Sequence, residues 1–134
     1  MNGFVLHERL VSDSIFIADW SLSRVLLMND ARYPWLILVP LRANAAEIFD
    51  LSTEDRATLI EEVARASEGL KKLSACAKIN VGALGNLVPQ LHIHVVARGP
   101  GDTAWPGPVW GSGPSIPYGD DAANSLIERF RSDL

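Results

Sequence analysis

Residues 85–98 read Gly85-Asn86-Leu87-Val88-Pro89-Gln90-Leu91-His92-Ile93-His94-Val95-Val96-Ala97-Arg98, and the fold is read outward from them. Residues 91–98 alternate in the two-residue period of a β-strand, with Gly85-Asn86 as a turn signal ahead of them. Leu91, Ile93, Val95 and Ala97 share the face expected to meet the core, and Gln90, His92, His94, Val96 and Arg98 share the other. The predicted strand thus presents Gln90, His92 and His94 as a row of hydrogen-bonding side chains, neighbours in the row being about 7 Å apart along the backbone.

Upstream, residues 78–84 also alternate, with Ile79, Val81 and Ala83 predicted on the core face. Before them lies one long helix. Ser52 precedes Thr53, Glu54 and Asp55 as a cap with acids in the first turn, and Leu59, Val63, Ala66, Leu70 and Leu73 form one helical stripe. Residues 14–20 and 24–28 read as short strands, and residues 35–39 (WLILV) as a central strand covered on both faces, ended by Pro40. Downstream, residues 99–119 are rich in Gly and Pro and carry Trp105 and Trp110, which are expected at an interface or in the core. Asp120 or Asp121 then caps a last helix with apolar positions Ala123, Leu126, Ile127 and Phe130. Cys76 is expected as a small apolar filler at the edge of the long helix. The order predicts an α+β fold: an antiparallel sheet of about five strands, one long helix and a C-terminal helix.

The composition sets outer bounds. At 134 residues the chain reads as one domain, 1–134, with a core at about 15–108 and a C-terminal extension over 109–134. The apolar fraction of 48% and charged fraction of 21% exclude a disordered, collagen-like or wholly coiled-coil chain. A net charge of −4 lacks the positive footprint of duplex binding, so no nucleic-acid polymer is expected as partner. The single cysteine makes no internal bridge, and no targeting segment or membrane-length apolar run is evident. The expectation is a soluble, cytoplasmic protein without a cofactor.

Three readings of His92 and His94 remain open on spacing alone: solvated surface histidines, part of a metal site, or phosphate chemistry. A metal needs further ligands, and no second His/Cys/Asp/Glu cluster with ligand spacing lies nearby in sequence, so no metal ligand is assigned. Imidazoles and amides in a row suit a phosphorus centre, where one ring nitrogen attacks while its neighbours donate to the oxygens.

Residues 85–98 resemble the signature strand of the histidine triad (HIT) superfamily, His-φ-His-φ-His-φ-φ with φ apolar, commonly preceded by Gly-Gln-x-Val. Gly85-Asn86 stands where that family has Gly-Gln, Val88 matches its Val, His92 falls on the middle histidine and His94 on the last. Gln90 takes the place of the first histidine. Residues 25–29 followed by Pro34, residues 36–41 and 49–52, and Trp105-Pro106-Gly107-Pro108 are similar to other parts of the family, so the resemblance covers roughly residues 15–108. It implies an α+β domain that pairs as a homodimer through a joined sheet and binds a nucleotide or nucleotide conjugate. It also implies a hydrolase or nucleotidyl transferase that cleaves a phosphoramidate or dinucleoside polyphosphate at the α-phosphate. On that reading His92 is the nucleophile that becomes nucleotidylated, His94 contacts phosphate and leaving group, and Gln90 donates to a phosphate oxygen. Asn29 and Asn86 match substrate-contacting positions, and Arg98 is a weaker candidate for a leaving phosphate, with an exposed strand-end arginine as the plainer expectation. Gln90 and the short loop at residues 81–85 motivate an alternative, a nucleotide- or phosphate-binding module with little or no turnover.

Overall fold

A computed structural model describes residues 3–134. Five strands form one sheet in the order β1-β2-β3-β5-β4: β1 is Ser14–Asp19, β2 Ser23–Met28, β3 Trp35–Pro40, β4 Lys78–Gly82 and β5 Ile93–Arg98. Every neighbouring pair is antiparallel. Helix α1 spans Glu8–Asp13, α2 Thr53–Ser74 and α3 Asp120–Asp133, with a 3₁₀ turn at Ile48–Asp50 ahead of α2. The fold class is the α+β arrangement expected from the sequence. Among the described residues no helix is long and apolar enough to cross a membrane.

Strand parity places the two cores. On the α2 side, Val25, Leu27, Leu36, Leu38, Ile93 and Val95 pack with Leu59, Ala66 and Leu70 of the helix. The stripe forms because Ser52 Oγ accepts from Asp55 N at 3.0 Å to start the helix, and Ala75 ends it in the left-handed region at φ 52°. Trp35, Ile37, Val39, Leu26 and Val96 project to the other face and meet Leu10 of α1, Val88 and Val109. All six residues of β3 are therefore buried, as a central strand covered on both sides requires.

The segment after β5 closes that second face. Arg98 anchors it through Asp102 and the carbonyl of Gly107, and Val109 is 3% exposed against the sheet. Further on, Ile116 N donates to Asp30 Oδ1 and Tyr118 N to Asn29 Oδ1, which carries the chain around the end of β2. Helix α3 then returns to the α2 side, where Ile127 and Phe130 join the same core as Leu70. Cys76 is partly buried against that core, as a small filler.

Two local expectations are corrected, and one short helix was not anticipated. Strand β4 stops at Gly82, and Val81 is half exposed: β4 is the sheet's edge, and of its residues only Ile79 packs on the core. The β5 ladder opens at Ile93, so Gln90 lies before it in a bend and does not continue the histidine row. Helix α1 went unread, because its six residues carry only one buried side chain, Leu10.

Candidate active site

His92 immediately precedes β5 and His94 is its second residue, and both are only 7% exposed. That burial removes the reading of them as solvated sheet-surface residues. Their rings lie 4.9 Å apart, edge to face, and both line a cleft of about 720 Å³. The size suits a nucleotide-sized ligand.

Each ring has one nitrogen committed within the fold. His92 Nδ1 is 2.7 Å from the backbone carbonyl of Gln90. A carbonyl only accepts, so Nδ1 carries a proton and, in the neutral ring, Nε2 holds the lone pair. Trp35 Nε1 donates to His94 Nδ1 at 3.0 Å. An indole N–H only donates, so His94 Nδ1 is bare and the neutral ring's proton is on Nε2. Burial, and then the neighbouring His92, push His94 down to about 3 from the ordinary 6.5. With both rings neutral the pair offers one attacking nitrogen, His92 Nε2, and one donor, His94 Nε2–H.

Aromatic rings fix this arrangement. Trp35 stands edge-on to His94 at 5.6 Å, and Trp110 stands edge-on to both, at 5.4 Å from His94 and 6.4 Å from Trp35. Tyr33 braces the indole of Trp35 from a further side at 6.2 Å. Trp110 reaches this place because Gly82, paired with His94 across the β4–β5 ladder, has no side chain: a Cβ there would come within 2.9 Å of the Trp110 ring. Trp110 is thus part of the cleft wall. Trp105 lies elsewhere, 37% exposed, with the Arg98 guanidinium 5.9 Å from its ring.

The other expected site residues divide. Asn29 and the exposed Asn86 line the cleft, Asn29 with its Oδ1 holding Tyr118 N. Gln90 does not line it. Its side-chain oxygen accepts from His7 N at 2.9 Å and its amide nitrogen donates to Val5 O at 2.8 Å, so the amide clips the N-terminal segment. The expected donation from Gln90 to a phosphate oxygen is corrected accordingly. Arg98 is also corrected. It is 2% exposed rather than exposed, with its guanidinium bonded to Asp102, Asn80 Oδ1 and the carbonyl of Gly107. Four of its five N–H donors are bonded within the fold, and Arg98 is not among the residues lining the cleft.

Sequence reasoning missed three contributors. Trp35 was read as one more apolar residue of β3, although a tryptophan in a buried strand needs a partner for its N–H. Arg9 and Arg32 line the cleft, Arg9 paired with Asp13 at 3.5 Å and Arg32 held by the buried Asp30 at 2.8 Å. Burial alone would raise Asp30, but hydrogen bonds from the Arg32 side chain and from the backbone of Arg32 and Ile116 outweigh it and hold the carboxyl below its usual range. Among the described residues no three His, Cys, Asp or Glu side chains stand together as a metal-ligand group.

Comparisons with known proteins identify the family and the fold. The profile of the HIT domain matches residues 9–101. A histidine triad protein from Sinorhizobium meliloti superposes with a TM-score of 0.97 at 48% identity, covering 100% of this chain and 99% of its own. Histidine triad proteins from Bradyrhizobium japonicum and Marinobacter aquaeolei superpose with TM-scores of 0.95 at 46% and 45% identity, each covering 98% of this chain and 98% and 96% of their own. A search of curated proteins finds no match.

Proposed function

The chain belongs to the HIT domain family, and from that premise we propose that it is a nucleotide hydrolase or nucleotidyl transferase working through a covalent His92 intermediate. The observation that carries this reading is the opposed proton placement on the two rings, with the Gln90 carbonyl on His92 Nδ1 and the Trp35 indole on His94 Nδ1. The first leaves His92 Nε2 free to attack, and the second leaves His94 Nε2–H to donate to the phosphate.

The step is a displacement at the α-phosphorus of a phosphoramidate or dinucleoside polyphosphate. The His92 Nε2 lone pair forms an N–P bond, and the bond from phosphorus to the leaving group breaks with its electron pair on the leaving atom, an anhydride oxygen departing as the anion and an amine nitrogen taking up a proton from solvent. The Gln90 carbonyl then faces a cationic nucleotidyl-imidazolium, whose Nδ1–H it stabilises. Water attacks the same phosphorus, the N–P bond returns its pair to Nε2, and the proton of water passes to solvent with the nucleoside monophosphate. Asn29 and Asn86 are placed along the cleft to contact substrate.

One observation favours a second reading, a nucleotide-binding module with little turnover. The Gln90 amide is engaged by Val5 and His7, so no third side chain of the triad strand faces the cleft. Intact-protein mass after mixing with an adenosine phosphoramidate or diadenosine polyphosphate separates the two. An added adenylyl group or AMP release, absent in His92→Asn, supports the enzyme. AMP binding with neither signal supports the module.

A homodimer fits the outer edge of β4, which pairs within the chain only with β5 and carries the exposed Val81, with Leu84 and Leu87 exposed just beyond it. Light scattering of the purified chain tests this: a dimeric mass is expected, and a monomer at micromolar concentration contradicts it.

A further inference from the structure

The contact between Trp35 and His94 has a consequence for the leaving group. The indole N–H occupies the nitrogen that His94 would have to protonate to become a cation. Trp35 is 4% exposed and braced by Tyr33 and Trp110, so it has no room to swing away from a second N–H. His94 can therefore give a hydrogen bond through Nε2, but it is not an imidazolium and has no labile proton to hand over. The remaining charged groups along the cleft do not supply one. Arg9 is paired with Asp13, and Arg32 is held by Asp30, which is also committed to Ile116 N. The Gln90 amide points to the N-terminal segment.

Leaving groups differ in what they require. A phosphate or carboxylate oxygen departs with the bonding pair as a stable anion. An amine nitrogen departs only with a proton, and a positioned acid is worth roughly 10²–10⁴-fold in such a step. We propose that Trp35 is a specificity-determining positioning residue: by holding His94 as a neutral Nε2–H donor, it makes the cleft select nucleotide anhydrides over nucleotide phosphoramidates. This rests on the reading of His92 as the nucleophile. The selected reaction balances without an acid: Nε2 bonds to phosphorus, the P–O bond of the anhydride breaks, and its pair stays on the departing oxygen.

The test uses the full chain, wild type and Trp35→Phe, which keeps an aromatic ring and deletes the N–H. kcat/KM is measured for a diadenosine polyphosphate and for an adenosine 5′-phosphoramidate of an alkylamine, and the ¹⁵N shifts of the histidine rings are recorded in each protein. The wild type is expected to prefer the anhydride by about 100-fold or more and to show His94 with Nε2 protonated and Nδ1 bare. Trp35→Phe is expected to narrow that preference at least about tenfold and to mix the His94 tautomers, because Nδ1 loses the indole N–H that bars a proton there and the smaller ring lessens the burial that, with His92, keeps His94 neutral. Equal use of both substrates by wild type overturns the assignment, and so does a wild-type His94 carrying its proton on Nδ1. A Trp35→Phe protein with unchanged preference and unchanged ¹⁵N pattern overturns it as well. Absence of turnover and of any His92 adduct in wild type with both substrates instead overturns the underlying catalytic reading, and that outcome is recognised without the variant.

Discussion

His92 and His94 face each other with ring centroids 4.9 Å apart and carry their protons on opposite nitrogens, His92 on Nδ1 toward the Gln90 carbonyl and His94 on Nε2 away from the Trp35 indole. Two imidazoles this close cannot both be cations cheaply, and the fold resolves the conflict by keeping His94 neutral.

That neutrality has a signature in stability. His94 is pushed down to about 3, by burial first and by His92 second, whereas an ordinary imidazole titrates at 6.5. Above 6.5 the ring is neutral in both folded and unfolded chain and contributes no pH dependence. As the pH falls from 6.5 toward 3, the unfolded chain takes up a proton that the folded chain refuses, so this ring lowers stability by up to about 1.4 kcal/mol per pH unit. Urea midpoints between pH 6.5 and 5 are expected to fall more steeply in wild type than in His94→Gln. Parallel slopes would show that His94 is not held neutral.

Gly82 makes the room that Trp110 uses beside His94. A Cβ at Gly82 would lie 2.9 Å from the indole, a distance that forces the ring to move. Gly82→Ala is expected to destabilise the fold by about 1–3 kcal/mol and to lower turnover by disturbing the wall of the cleft. Thermal melting and initial rates check it, and a variant matching wild type in both would show that Trp110 adapts freely.

Gln90 is expected to behave as a clip for residues 5–7. Gln90→Ala deletes two hydrogen bonds, at about 1 kcal/mol each, and should speed amide exchange at His7, whose N–H the side chain holds. Gln90→His restores the family's histidine, yet it is expected not to raise AMP release, because this position turns away from the cleft. A tenfold gain in rate would show that the side chain at 90 reaches the reacting phosphate.

Arg98 is expected to act on the fold. Removing it leaves Asp102 without its partner beneath the segment that covers the second face of the sheet, and loss of one member of a buried pair costs about 3 kcal/mol or more. Arg98→Ala should lower the melting temperature markedly, and Arg98→Lys should recover only part, since one ammonium cannot make the four contacts of the guanidinium. A normally stable Arg98→Ala with weakened substrate binding would reverse this assignment.

The parts of the fold that follow a period were legible in the sequence. The alternation of β5 placed Ile93, Val95 and Ala97 against α2 and both histidines on the other face, and Ser52 with the Leu59–Leu70 stripe located α2. What failed depends on where a period stops. Gln90 is in step with His92 and His94 by count, but the ladder opens only at Ile93, and before it the chain bends. Arg98 was expected at the surface because the return of residues 99–119 over the sheet follows no period. Trp35 acquires its role only from the register that lays β3 beside β5, Ile37 opposite His94 and Trp35 opposite Val96. Strand pairing brings such residues together, and no local pattern announces it.

The most direct test of the central claim is the intact mass of the chain, wild type and His92→Asn, quenched after mixing with diadenosine polyphosphate. An adenylyl group added to wild type alone, with AMP released on longer incubation, is the predicted result. An unmodified wild-type chain that binds AMP but releases none, or an adduct that persists in His92→Asn, would contradict it.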